Sequence, residues 1–324
     1  MQPCIVPVKA GDWQAQAKLL PGAAEHPEMR FATITFRYAT DADKGAAAGP
    51  DALLNAGLAR CLGEAGHEIV GPLHVELSPE EEVAYGSWNK IGFANARLAQ
   101  LIFEARQAQA FPILLESNCY AAIGALAGLL KSGVSAARLG MVWIDAHGDC
   151  NTPETTLSGM LSGMPVAIAT GQCLHRLRQN AGLEPPLQAH NVVMVCVRAN
   201  VPLEQELIDQ CGIPQVPVSD VRRNRQLLCA AMDRLNDSVD AIYVHFDIDA
   251  LDRSELALTR LSEPNGPMSD EMAKALEMVM AYSKVAAFGV SDFNPERDVE
   301  GQAFRAISAV FRGAIAGIAS RSRR

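Results

Sequence analysis

Two short stretches concentrate groups that bind metal ions, Asp145-Ala146-His147-Gly148-Asp149 and Asp247-Ile248-Asp249. In extended backbone, alternate side chains share a face. Asp145 and His147 therefore point the same way, Asp247 and Asp249 do likewise, and Asp149 joins the first pair if the strand end curls. Carboxylates gathered this closely resist ionising together. One divalent cation, or two, removes that conflict. A carboxylate-rich set with one imidazole suits Mn²⁺, with Zn²⁺, Fe²⁺, Ni²⁺ and Co²⁺ as alternatives. The competing reading makes both stretches polar loops that cap helices. Finding both at the ends of apolar runs favours the metal reading. His245 shares the face of Asp247 and Asp249, which makes it a neighbour of the metal, a ligand, or a packed histidine bonded to backbone carbonyls. His26, His67, His74, His175 and His190 fall outside these stretches and read as surface or structural residues.

The elements that must position these groups are short apolar runs of the kind buried on both faces in parallel sheets: Phe31–Phe36, Phe111–Leu115, Leu139–Ile144, Val192–Val197, Ala241–Phe246 and Val285–Val290. Helical patterns separate them. Ser78 can cap a helix with Pro79 in its first position and Glu80–Glu82 at its positive end, and the pattern runs on through Asn95, Leu98, Leu101 and Ile102 towards Arg106. Asn118–Leu130 and Ser269–Tyr282 also read as helices. The alternation predicts an α/β protein, an open and mostly parallel sheet with helices on both sides, as one domain over residues 1–324. In such sheets ligands bind beyond the carboxyl ends of the strands. There the chain places Glu116-Ser117-Asn118-Cys119, Asp145–Asp149, Asp247–Asp252 and Ser291-Asp292-Phe293-Asn294-Pro295.

Composition bounds the function classes. Of 324 residues, 49% are hydrophobic and 20% charged, so a large core is available. A net charge of −9 argues against nucleic acid and anionic membranes as partners. The basic Arg321, Arg323 and Arg324 read as a frayed, solvated tail. No apolar run suggests a bilayer span, and the first residues, MQPCIVPVKAGDW, lack the order of a signal peptide. Eight cysteines without a CxxC pair suit a reduced, cytoplasmic protein. No GxGxxG follows any expected strand, which argues against a dinucleotide-binding protein.

DAHGDCNTP (Asp145–Pro153) and HFDIDALD (His245–Asp252) resemble the second and third signatures of the ureohydrolases, the superfamily of arginases, agmatinases and formimidoylglutamases. The likeness extends from KGAAAGPD (Lys44–Asp51) through Ser158-Gly159 to Asn294-Pro295. The resemblance implies a three-layer α/β/α fold and two divalent metal ions, usually manganese. It also implies hydrolysis of a linear C–N bond in a guanidino or amidine compound by hydroxide held between the ions, releasing urea or a urea-like product. One ion would take Asp145, His147, Asp247 and Asp249. The other would take Asp145, Asp149, Asp247 and a residue of the first signature. Asp249 would accept or orient a proton, and Asn151 and Ser158 would contact the substrate carboxylate. Trimers or hexamers are the implied assemblies.

The chain departs from that pattern at four places. The first signature, ordinarily Gly-Gly-Asp-His-Ser, is Glu116-Ser117-Asn118-Cys119-Tyr120, so Cys119 takes the place of a histidine ligand. It is either a thiolate ligand or a buried thiol with one metal lost. Ser162 takes the place of a proton-shuttling histidine, and serine cannot shuttle near neutral pH as imidazole does. Ala199 and Val201 replace carboxylates that hold a substrate amino group, although Glu204 remains. Asp292 replaces the glutamate that pairs with guanidinium. The leading expectation is a metal-dependent hydrolase of an arginine-like compound, with a modified guanidine such as N-hydroxy-arginine fitting the altered shuttle. The rival is a non-catalytic metal-binding scaffold or supporting subunit of a hetero-oligomer.

Overall fold

The computed structural model describes residues 29–39, 41–64, 66–256 and 262–321. The N-terminal thirteen residues discussed above, His26, Arg323 and Arg324 lie outside them, as does the side chain of Lys44.

Eight strands form one parallel sheet: β1 Arg30–Phe36, β2 Glu68–His74, β3 Phe111–Glu116, β4 Leu139–Ile144, β5 Val192–Val195, β6 Gln215–Val216, β7 Ala241–Asp247 and β8 Val285–Ser291, in the order β2-β1-β3-β8-β7-β4-β5-β6. All six expected strands are present. The four central ones, β3, β8, β7 and β4, are buried along their whole length, as continuous apolar runs require. Two strands have no counterpart in the sequence reading. β2 is a half-buried edge containing Gly71-Pro72, and β6 is two residues long. Proline donates no ladder hydrogen bond and sits at sheet edges.

The longer helices are α1 Ser87–Gln107, α2 Ala122–Lys131, α3 Pro202–Cys211, α4 Gln226–Ser238, α5 Ser269–Met280 and α6 Gln302–Ser320. One apolar layer packs Trp143 and Tyr243 of the sheet against Leu98 and Ile102 of α1 and Leu126 of α2. The opposite layer packs Val142, Val244 and Phe288 against Met232 of α4, Leu276 of α5 and Ile307 of α6. The result is the expected three layers, helices on both faces of a parallel sheet.

Four expectations are corrected. The helix expected from Ser78 to Arg106 is two helices. A single turn, Pro79–Glu82, is capped as predicted, with Ser78 N donating to Glu81 Oε2 (2.7 Å), and the chain then reverses through Gly86 (φ 91) before α1 begins. Positive φ is readily available only to glycine, so the break is local and fixed by residue type. The helix expected from Asn118 begins as a 3₁₀ turn at Cys119–Ala121. Arg321 is no solvated tail: its Nε donates to Met280 O (2.6 Å), its Nη1 to Val285 O (2.9 Å), and its guanidinium lies over the Phe111 ring. Finally, the 19-residue α6 is long and apolar enough, by length and composition, to cross a membrane. Half of its apolar window is buried in the fold, where Ala303, Ile307, Val310, Phe311 and Ile318 join the core. Gly313 and Gly317 bring α6 against α5, because a Cβ at either position would run into the carbonyl of Ala273 or Glu277.

Candidate metal centre

The adjacent strands β3, β8, β7 and β4 deliver their carboxyl ends to one place. Register explains the order: His245 of β7 lies between Trp143 of β4 and Gly289 of β8, and Asp247 pairs with Ser291 one pleat further on. Asp145 follows β4 and Asp292 follows β8, so acidic groups from neighbouring tips meet as the sequence suggests.

Two donor groups result. In one, Asp145, His147 and Asp249 each bring a ligand atom within 4.8 Å of the others; in the second, Cys119, Asp145, His245 and Asp247 do so. Asp145 belongs to both. In the first group His147 Nδ1 lies 3.0 Å from Asp249 Oδ2 and 3.5 Å from Asp145 Oδ1. In the second, Cys119 Sγ donates to Asp247 Oδ2 (2.9 Å) and to Asp292 Oδ2 (3.1 Å), and it lies 3.4 Å from Ser291 Oγ. Asp149 falls outside both groups but close enough to Asp145 for mutual repulsion. Asn118 Nδ2 donates to Asp292 Oδ1 (3.2 Å), which anchors the half-buried Asp292 carboxylate.

Backbone amides shape the loops. His147 N donates to Asp145 Oδ1 (2.6 Å), Ala146 N to Asp249 Oδ1 (3.1 Å) and Asp249 N to Asp247 Oδ1 (2.8 Å). Arg198 clamps the two loops together: its amide donates to Ala146 O (2.8 Å) and its guanidinium to the carbonyls of Asp249 (3.2 Å), Ala250 (3.2 Å) and Leu251 (3.1 Å). Glu204, fully inside the protein, accepts from Cys150 N (3.0 Å) and Val201 N (3.4 Å). It thereby holds the loop after β4 while closing the first turn of α3. Ser162 is buried on a 3₁₀ turn, Leu161–Gly163, tied to Asn151 by the bond from Asn151 N to Gly163 O (3.0 Å). Asn151 Oδ1 accepts from Thr155 Oγ1 (3.1 Å), and Ser158 is exposed, its Oγ accepting from Met160 N (3.2 Å). Asp149, Cys196 and Asp292 hold positive φ values of 45°, 70° and 67° at the tips of β4, β5 and β8.

The electrostatics are those of a site arranged for a cation. Burial and then the neighbouring Asp249 and Asp247 push the Asp145 carboxyl well above its usual range. Burial and Asp145 raise Asp149; burial and Asp249 raise Asp247. Burial alone would lower His147, but the carboxylates of Asp249 and Asp145 raise it strongly, and His147 in turn holds Asp249 low despite its burial. Burial and the carboxylates of Asp247 and Asp292 raise the Cys119 thiol. Asp145 Oδ2 is buried without a hydrogen-bond partner. An unpaired buried carboxylate oxygen is costly. The residues thus fit divalent cations: hard carboxylate oxygens with imidazole at one position, carboxylates with a thiol and imidazole at the other.

The sequence reading missed the network behind Cys119. Tyr243 OH donates to Glu116 Oε1 (2.7 Å), and His245 Nδ1 lies 3.2 Å from Glu116 Oε2. A glutamate ending an apolar run, and Tyr243 and His245 two residues apart on β7, were its visible signals.

Comparison with known proteins places these features in a family context. A family model described as "Arginase family" matches residues 28–316. The arginase of Bacillus caldovelox is 28% identical over 263 residues, covering 79% of this chain and 87% of that one. A solved structure of arginase from Bacillus caldovelox superposes with a TM-score of 0.77 at 25% identity, covering 89% of this chain and 98% of the other. The formimidoylglutamase of Bacillus subtilis shares the fold, with a TM-score of 0.68 at 15% identity over 91% of this chain and 89% of that one.

Proposed function

The chain belongs to the arginase family, whose enzymes hydrolyse C–N bonds in amidines, and we propose that it hydrolyses an arginine-like guanidino compound, with a modified guanidine such as N-hydroxy-arginine as the substrate that suits its altered pocket. The observation that carries this reading is the convergence of Asp145, His147, Asp247 and Asp249 from two strand tips into adjoining donor groups. Asp145, His147, Asp249 and Asp247 would hold two cations, Mn²⁺ foremost, with Cys119 and Asp149 on the side of the second. When bound, the ions supply Lewis acidity that makes water a nucleophile at neutral pH.

The chain's own residues do the rest. Asp292, pinned by Asn118, presents a carboxylate to a cationic group of the substrate. Asp249, already bonded to His147, accepts or orients a proton of the attacking water. Asn151 and Ser158 face a substrate carboxylate, and Glu204 contributes by fixing the loop that carries Asn151. Ser162 hands a proton to the leaving group only through water, since a hydroxyl has no affinity for a proton near neutral pH. An N-hydroxyl group draws electrons from the guanidine carbon and makes it more open to attack, so the reaction depends less on protonating the departing alkylamine. The products are the amine and N-hydroxyurea, which is why the modified guanidine is preferred.

Ser162 and Cys119 favour a second reading, a metal-binding member without turnover. Metal analysis of protein purified without chelator, followed by a screen for release of urea or N-hydroxyurea over guanidino compounds, separates them. Two ions per chain with turnover support the hydrolase. Metal without turnover on any such compound supports the scaffold. Protein that takes up no cation refutes both.

A further inference from the structure

His245 carries more structure around it than a packed core histidine needs. Its ring stacks on Trp143, with centroids 4.0 Å apart and planes 13° from parallel. Its Nδ1 faces the fully buried Glu116 carboxylate at 3.2 Å and Tyr243 OH at 3.1 Å. Tyr243 OH donates to Glu116 Oε1, so its oxygen accepts from the ring: the ring hydrogen belongs on Nδ1 and is donated to Tyr243 OH, with Glu116 Oε2 close behind. That tautomer leaves the Nε2 lone pair facing Ser291 Oγ (3.3 Å) and the donor atoms of Cys119, Asp145 and Asp247. Room for the arrangement comes from β8. A Cβ at Gly289 would collide with Tyr243 OH and come within 2.6 Å of Glu116 Oε1. The chain thus buries a carboxylate, a phenol and an indole together, and opens the adjacent strand, in order to hold one imidazole in one orientation. A hydrogen-bond acceptor on the far nitrogen, here a phenol backed by a carboxylate, is the ordinary support of a metal-ligating histidine.

The same volume contains the unpartnered Asp145 Oδ2 and a thiol hydrogen shared between two carboxylates. Both are resolved by a cation: the oxygen gains a partner, and the thiol gives up its proton as a ligand.

We propose that Cys119, Asp145, His245 and Asp247 form a four-donor metal site in which His245, held by Tyr243 and through it by Glu116, supplies from β7 the imidazole that the first signature lacks. The inference rests on the reading that the strand tips bind cations, and it deepens it. The two positions then differ in kind. Asp145, His147 and Asp249 offer oxygen and one nitrogen. The second position adds sulfur, which favours Zn²⁺, Co²⁺ or Fe²⁺ over Mn²⁺. A protein with one hard and one borderline-soft position binds two different metals from a mixture.

Cobalt tests this on the full-length protein, because it reports ligand type by absorption. Chelator-stripped protein titrated with Co²⁺ is expected to show a near-ultraviolet sulfur-to-cobalt band developing with one equivalent. Cys119→Ser is expected to abolish that band. His245→Ala is expected to weaken binding of the sulfur-bound equivalent at least a hundredfold. Glu116→Gln, nearly isosteric, is expected to weaken it about 10- to 100-fold while leaving the sulfur band in place at saturation. Should His245→Ala fail to fold, Glu116→Gln and the wild-type spectrum still decide. A wild-type protein that binds cobalt with no sulfur band overturns the proposal but leaves the Asp145, His147 and Asp249 position intact. So does a folded His245→Ala or Glu116→Gln variant whose sulfur-bound cobalt is held as tightly as in wild type. Failure to bind any cobalt overturns the underlying reading as well.

Discussion

Asp145→Asn separates the cost of the acidic cluster from its use. Asp145 is 1% exposed, belongs to both donor groups, and has one oxygen without a partner. In the absence of metal, burial and the neighbouring Asp249 and Asp247 penalise its charged form, so at neutral pH the folded chain holds a proton there that the unfolded chain releases. Asparagine keeps an acceptor for His147 N and needs no proton. Relieving a buried carboxyl of that cost is worth roughly 1–4 kcal/mol. At about 2.1 cal/mol/K of unfolding entropy per residue, a chain of this length shifts by roughly 1.5 °C per kcal/mol. The variant in EDTA is therefore expected to melt about 2–6 °C above wild type. With metal the order reverses. Each site saturated at 100 to 1,000 times its Kd contributes about 2.7–4.1 kcal/mol, so two sites raise wild type by about 8–12 °C, and the variant, having lost a ligand from both, gains less than half of that. Scanning calorimetry of both proteins, with EDTA and with saturating metal, reads the crossing. A variant that melts below wild type in EDTA and gains the same increment from metal would show that the cluster is not a cation site.

The remaining expectations concern pH, chemistry and packing. Asp145, Asp149 and Asp247 have carboxyls raised by burial and by neighbouring carboxylates, so the folded metal-free protein holds protons that the unfolded chain releases above about pH 4. Their contribution is full below the ordinary carboxylate range and is lost as pH rises through the raised values; melting temperatures in EDTA should fall between pH 5 and 8, and a rise would contradict the argument. Ser162→His restores an imidazole to the turn beside Asn151 and is expected to increase urea release from unmodified arginine about a hundredfold, measured as kcat; an unchanged rate with full metal content would remove Ser162 from the proton path. Gly317→Ala drives a methyl group into the Glu277 carbonyl where α6 meets α5 and should cost about 1–3 kcal/mol in urea denaturation, with metal content unaltered.

The central strands were legible because a sheet covered on both sides leaves an unbroken apolar imprint, as in Leu139–Ile144 and Ala241–Phe246. The acidic residues at their tips were legible because charge directly after such a run has few structural uses. Edges left no comparable imprint: β2 mixes polar and apolar residues, and its Gly71-Pro72 reads as a turn. The contact of Cys119 with Asp247 and Asp292 spans more than 120 residues of sequence, so no local pattern encodes it. The seat of His245 was hidden for the same reason, being assembled from Trp143, Glu116, Tyr243 and the missing side chain of Gly289 on four strands.

Asp149, Cys196 and Asp292 turn left-handed at the crests beyond β4, β5 and β8, a conformation that costs a side-chain-bearing residue roughly 1–2 kcal/mol. Selection for heat resistance alone would therefore press towards glycine at these crests. At Asp149 and Asp292 that pressure meets carboxylates that the proposed metal and substrate sites would use, whereas at Cys196 it meets only a small buried thiol. Directed evolution for thermal tolerance, run once with and once without a demand for activity, should therefore diverge at Asp149 and Asp292 while treating Cys196 alike.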